Sequence, residues 1–160
     1  MKIALVQQHA TQDKSENLAR GLRAFDEAAE NGARLVCYAE LAFEPFYPQH
    51  VASGDVARWA EPIPGPVTDA FAARAKRHGV VAVLNLFERD GRRTFDSSPV
   101  IDADGRLLGI TRMVHITEYA CFHEQGYYTP GDRGAPVYDT RAGRVGVYME
   151  IGRASCRERV

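Results

Sequence analysis

Two short apolar runs, Ile3-Ala4-Leu5-Val6 and Leu35-Val36-Cys37-Tyr38, flank a stretch with helical spacing, and this arrangement constrains the chain most. Leu18, Leu22, Phe25 and Ala29 recur on one helical face between them. Asp13 and Glu16 form a candidate capping box ahead of that helix, and Asn31-Gly32 is a stop signal behind it. Near-continuous apolar strands joined by a helix predict a βαβ unit in a sheet covered on both faces. A second helix is expected after the Pro-rich segment Glu61–Pro66, on Val67, Ala70, Phe71, Arg74 and Ala75, ending at His78-Gly79.

The second half changes character. Val80 to Phe87 predicts a strand, and Asp90-Gly91 a hairpin turn. Phe95 to Ile101 and Leu107 to Ile116 predict two more strands. Val137-Tyr138-Asp139 and Val145 to Met149 predict a final hairpin around Ala142-Gly143. A helix-rich half feeding a strand-rich half predicts an α/β sheet with helices on one face and another layer on the opposite face.

Composition narrows the partners. Twenty Lys+Arg against 21 Asp+Glu leave a net charge of -1, so no basic excess favours nucleic acid. No apolar run approaches the length of a signal sequence or a membrane span, and three cysteines make no disulfide framework. A soluble, cytoplasmic domain that meets neither nucleic acid nor membrane is the expectation.

Glu40 lies just past an apolar strand, at the end where α/β sheets place ligands. It is followed by an aromatic loop, Leu41 to Tyr47, with a second carboxylate at Glu44. A carboxyl among apolar groups is raised towards a general base's range, although a surface or capping Glu fits the same position. The densest polar stretch runs from Arg112 to Asp132. Its His115, Cys121, His123 and Glu124 match no metal-ligand spacing, so no metal is expected. No phosphate-binding glycine loop occurs, which leaves nucleotide cofactors without support. Cys121 alone reads as a small apolar residue rather than a nucleophile.

These same segments carry a resemblance. In order, IALVQ, CYAELAFEPFYPQ, IPGPVTDAF, FDSSPVIDADGRLLG, HITEYACFHEQGYYTPGD and PVYDTRAGRVGVYM resemble the carbon–nitrogen hydrolase (nitrilase) superfamily. The similarity is greatest to its N-carbamoylputrescine amidase and carbamoylase branch. The resemblance implies an α-β-β-α sandwich that hydrolyses non-peptide C–N bonds through a Cys thioester, with a Glu base, a Lys for the oxyanion, a second supporting Glu and no cofactor. It places Glu40 on the general base and Glu124 on the supporting Glu. It implies a small amide or N-carbamoyl substrate, and a homo-oligomeric full-length parent. Phe43, Phe46, Tyr47 and Tyr119 become candidate pocket residues, and Cys121 a substrate contact.

Two departures stand out. The Lys position, two residues before the His of the HI pair, is Met113, and a thioether offers neither charge nor N–H. Strand alternation turns Arg112 away and puts His115 on Met113's face as a substitute donor. Second, Glu150 stands where the Cys is expected, and Glu150 to Val160 matches the translation of sequencing-adapter DNA; a natural polar tail is the alternative. Residues 1–149 are therefore expected to be the leading, incomplete part of the sandwich, followed by a non-native tail over 150–160. Such a chain should be catalytically inactive, and half a sandwich should be marginally stable. A non-catalytic binding or assembly module is the rival reading, favoured by Met113.

Overall fold

The computed structural model describes residues 1–149. The expected non-native tail, and Glu150 with it, lies outside the described residues.

The βαβ unit forms as expected. β1 (Ile3–Val6) pairs in parallel with β2 (Leu35–Tyr38), Ile3 facing Leu35, and α1 (Lys14–Glu30) connects them. The Asp13 carboxylate accepts from the Glu16 amide at 3.0 Å to start α1, and Asn31 with Gly32 (φ +82°) ends it. Gly21 is needed for close approach: a Cβ there would lie 2.5 Å from the Phe43 ring. α2 (Pro66–His78) starts with Pro at its first turn, where a missing N–H costs nothing, and stops at left-handed Gly79.

The run read as one strand from Val80 to Phe87 is divided into β3 (Val81–Val83) and β4 (Leu86–Asp90). Both pair antiparallel with β5 (Arg93–Ile101), and the register carries across the interruption. Val83 faces Val100, Leu86 faces Ser97, and the Leu84 amide between them donates to the Pro99 carbonyl at 3.2 Å. The break therefore preserves the ladder and frees the side chain of Asn85 for other work.

β6 (Leu107–Arg112) takes the opposite edge of β5. It was expected to reach Ile116 and stops at Arg112. Met113 still donates to the Asp96 carbonyl at 2.9 Å, but its own carbonyl is taken by the Gly131 amide at 2.7 Å. That returning loop ends the strand. The six-stranded sheet has the order β1-β2-β3-β5-β4, with β6 on β5. Two small hairpins complete the described chain: β7 (Glu118–Tyr119) with β8 (Phe122–His123), and β9 (Val137–Thr140) with β10 (Gly143–Gly146).

Alternation divides the sheet into two faces. Val36, Tyr38, Ala82, Leu84, Leu86 and Ile101 meet Phe25 of α1 and Phe71 of α2. On the opposite face Leu35, Val81, Val83 and Val100 pack beneath Tyr138 and Val145 of the β9–β10 hairpin. Gly109 makes room for it, since a Cβ there would lie 2.7 Å from the Tyr138 ring. The layers are those of the leading part of an α-β-β-α sandwich: helices, sheet, and the beginning of a second β layer. No helix of the described residues is long and apolar enough to cross a membrane.

Candidate active site

On the hairpin-covered face the ladder changes from apolar to polar as it leaves Tyr138. Val83 and Val100 give way to Asn85, Ser98 and Asp96, all buried. Asn85 is the hub. Its Nδ2 lies 2.5 Å from Asp96 Oδ1, 3.3 Å from Ser98 Oγ and 3.0 Å from Met149 Sδ, and Ser98 Oγ is 3.1 Å from the same sulfur. Its Oδ1 accepts from the Leu41 amide at 2.8 Å. Leu41 has φ +46°, a left-handed backbone that costs a non-glycine residue on the order of 1 kcal/mol. The strain sits in the turn that carries Glu40, and Asn85 holds that turn in place.

Glu40 follows β2 by two residues, at the carboxyl ends of the parallel strands, and is exposed. Its side chain shares a hydrogen bond with Asp96, a carboxyl with no solvent exposure. Burial, reinforced by the charges of Glu40 and Glu124, pushes Asp96 well above the usual carboxylate range, and the Asn85 amide only partly offsets this. Glu124 is buried. It opens a short 3₁₀ turn over Glu124–Gly126, and its Oε2 accepts from the Thr117 amide at 3.0 Å and from Thr117 Oγ1 at 2.6 Å. Tyr128 is held neutral by burial and by the acids Asp96, Glu40, Glu44 and Glu124. Glu40, Asp96, Glu124 and Tyr128 thus form one acid cluster where the layers meet.

Met113 lies at the same place, buried against Leu41, Phe87, Tyr127 and Tyr128. It faces Asp96 across the ladder and adds only apolar surface. Arg112 turns to the opposite face, as alternation requires. There its guanidinium grips Glu88 at 2.6 and 2.9 Å, Asp90 at 2.8 Å and Asp132 at 2.9 Å, and covers the Phe95 ring at 3.8 Å. His115 is exposed beyond the end of β6, so the alternation that set it beside Met113 does not extend to it. Strand alternation therefore does not carry the expectation of a substitute donor, although His115 borders a cavity with Met149.

The aromatic candidates separate. Phe46 and Tyr119 are joined through Phe122, whose ring lies 5.2 Å from Phe46 and stacks on Tyr119 at 4.7 Å. Cys121, left-handed at φ +65°, is exposed at the tip of the β7–β8 hairpin. Tyr47 packs with Phe46 on the cluster around Met113 and Phe87, stacks on Trp59 at 4.9 Å and hydrogen-bonds Glu44. Glu44 is buried and pairs with Lys14 at 2.8 Å. Phe43 is core, packed on Tyr38 and Phe71, and borders a cavity with Lys14, Glu44 and Glu61. Asn85, Ser98, Asp96 and Tyr128 escaped the sequence reading. The available signals were an Asn inside an apolar run and the polar Asp96-Ser97-Ser98 within a strand.

Helices on one face, an emerging β layer on the other and a cluster of acids between the layers define an α/β sandwich protein. The chain belongs to the carbon–nitrogen hydrolase family, which it matches over residues 2–159. It is 32% identical over 149 residues to a citrullinase of Francisella tularensis, covering 92% of this chain and 51% of that protein. It is 34% identical over 146 residues to an N-carbamoylputrescine amidase of Solanum lycopersicum, covering 91% and 48%. The chain thus spans about half the length of these curated relatives. Among solved structures, a carbon–nitrogen hydrolase of Helicobacter pylori superposes with a TM-score of 0.81 at 23% identity, covering 90% of this chain and 50% of that one, which shows the shared fold.

Proposed function

We propose that residues 1–149 are the leading part of an amidase that hydrolyses a small linear amide or N-carbamoyl compound. In this reading Glu40 is the general base, Glu124 the supporting carboxylate, and Met113 stands at the oxyanion-stabilising position. The observation that carries it is the convergence of Glu40, Asp96 and Glu124 beside Met149, the residue before the expected nucleophile. A thiol becomes a nucleophile when a base within hydrogen-bond reach takes its proton. The names of the citrullinase and the N-carbamoylputrescine amidase support a carbamoyl group as the reacting end.

With Glu150 at the position where the resemblance expects Cys, the 160-residue chain lacks the expected nucleophile there and should be inactive. Its test is ammonia release from simple amides and N-carbamoyl compounds: none is expected, and turnover above blank overturns the assignment. The site itself is tested by joining residues 1–149 to the C-terminal half of the Solanum lycopersicum amidase. Met113→Lys in that chimera should raise kcat by at least about 10²-fold, because a charged donor then faces the developing oxyanion. Glu40→Gln should abolish that activity. Met113 also supports a non-catalytic binding or assembly module. A folded chimera that stays inactive with Lys at position 113 establishes that reading instead.

A further inference from the structure

Asp96 is wholly buried on the hairpin-covered face, and its immediate neighbours are anionic or neutral. From the turn after β2 comes Glu40, and from the 3₁₀ turn after β8 comes Glu124. Tyr128 follows in the next segment, itself facing Glu44 as well as these acids. Asn85 approaches from the β3–β4 junction and Met113 from the end of β6. Arg112, the next residue along, spends its charge on the opposite face against Glu88, Asp90 and Asp132.

Asn85 Nδ2 donates to Asp96 Oδ1, which fixes that oxygen as an acceptor. Oδ2 is buried and receives no hydrogen bond from a donor among the described residues. Yet the side chain makes a hydrogen bond with Glu40. Two carboxylates are both acceptors, so the contact is favourable only when one of them carries a proton. The more deeply buried partner keeps it.

We propose that Asp96 is a positioning residue for Glu40, a buried carboxylic acid that shares one proton with it and holds the pair at a single negative charge. The O–H donated from Asp96 aims the Glu40 carboxylate, in addition to the hold that Asn85 has on the Leu41 turn. This inference rests on the reading of Glu40 as the base, and its test is independent of turnover.

The test is a pH titration of the carboxyl ¹³C signals in the 160-residue chain. One proton should remain on the pair at neutral pH. In Asp96→Asn, the retained step should disappear. In Glu40→Gln, the retained step should move down without becoming ordinary, because burial is the larger cause. Glu61 also holds a proton up to about 7, so Glu61→Gln serves as the assignment control and should leave the step in place. Amide spectra confirm folding; Glu40 is exposed, so Glu40→Gln keeps the test open if Asp96→Asn unfolds. Asp96 ionised at mildly acid pH overturns the proposal, as does a retained step unmoved in Glu40→Gln. An inactive chimera with the shared proton intact overturns the hydrolase reading alone, and ordinary titration in an active chimera overturns the shared proton alone.

Discussion

Arg112 and Asp96 sit one ladder position apart and face opposite ways. Arg112 pairs across β5 with Ser97, and Asp96 lies opposite Met113. On the helix-bearing face the buried charge is fully compensated: Arg112 meets Glu88, Asp90 and Asp132 and covers an aromatic ring. On the hairpin-covered face the buried acid faces other acids. Burying a charge is tolerated when it is paired and hydrogen-bonded, and an unpaired acid keeps its proton instead. The first arrangement stabilises a sheet edge. The second leaves a group that can hold a proton in a site.

Breaking the compensated face should have the largest effect. Arg112→Met strands the Glu88 carboxylate, which is 2% exposed, and should cost about 3–5 kcal/mol in denaturant unfolding. Asn85→Ala should cost about 1–3 kcal/mol, because Asp96, Ser98 and the Leu41 amide each lose a partner. Its diagnostic sign is earlier amide hydrogen exchange at Leu41 than elsewhere in the sheet. Gly109→Ala drives a Cβ into Tyr138 and should cost about 1–3 kcal/mol, releasing the β9–β10 hairpin from the sheet first.

The smallest effect concerns Glu61. Its carboxyl is pushed up to about 7, by burial first and then by Glu44. The folded chain therefore binds this proton more tightly than the unfolded chain. The resulting stabilisation is complete below the ordinary Glu value of about 4.3 and is lost as pH rises through about 7. Glu61→Gln should flatten that part of the stability–pH curve, measured by urea midpoints across the window.

How far the sequence reading reached depends on how local the cause was. The βαβ unit, the Asp13 cap, the Gly79 stop and the Asp90-Gly91 turn follow from neighbours in the chain, and all were predictable. The end of β6 was not, because Gly131 decides it from a distance by taking the Met113 carbonyl. The same cause takes His115 out of the strand's alternation. Asn85 looked like one polar residue in an apolar run; its role emerges only when β5 brings Ser98 and Asp96 alongside it. Glu40 stood out by its place just past an apolar strand, and Glu124 through family resemblance. Their meeting through Asp96 depended on a residue that pattern alone reads as ordinary strand.

The contrast between the two faces is tested most directly by the thermal midpoint of Asp96→Asn at a pH below about 3.9 and at mildly alkaline pH. An Asn can still accept from Asn85, and it carries no charge to desolvate. Below the ordinary Asp value of about 3.9, where Asp96 is protonated in the folded and unfolded chain alike, the midpoint should match the parent chain. As pH rises above that value the unfolded chain releases this proton while the folded chain keeps it, so the parent loses stability and the variant should become the more stable of the two. A midpoint lowered equally at both pH values would contradict the account, placing Asp96 among the compensated structural groups alongside Arg112.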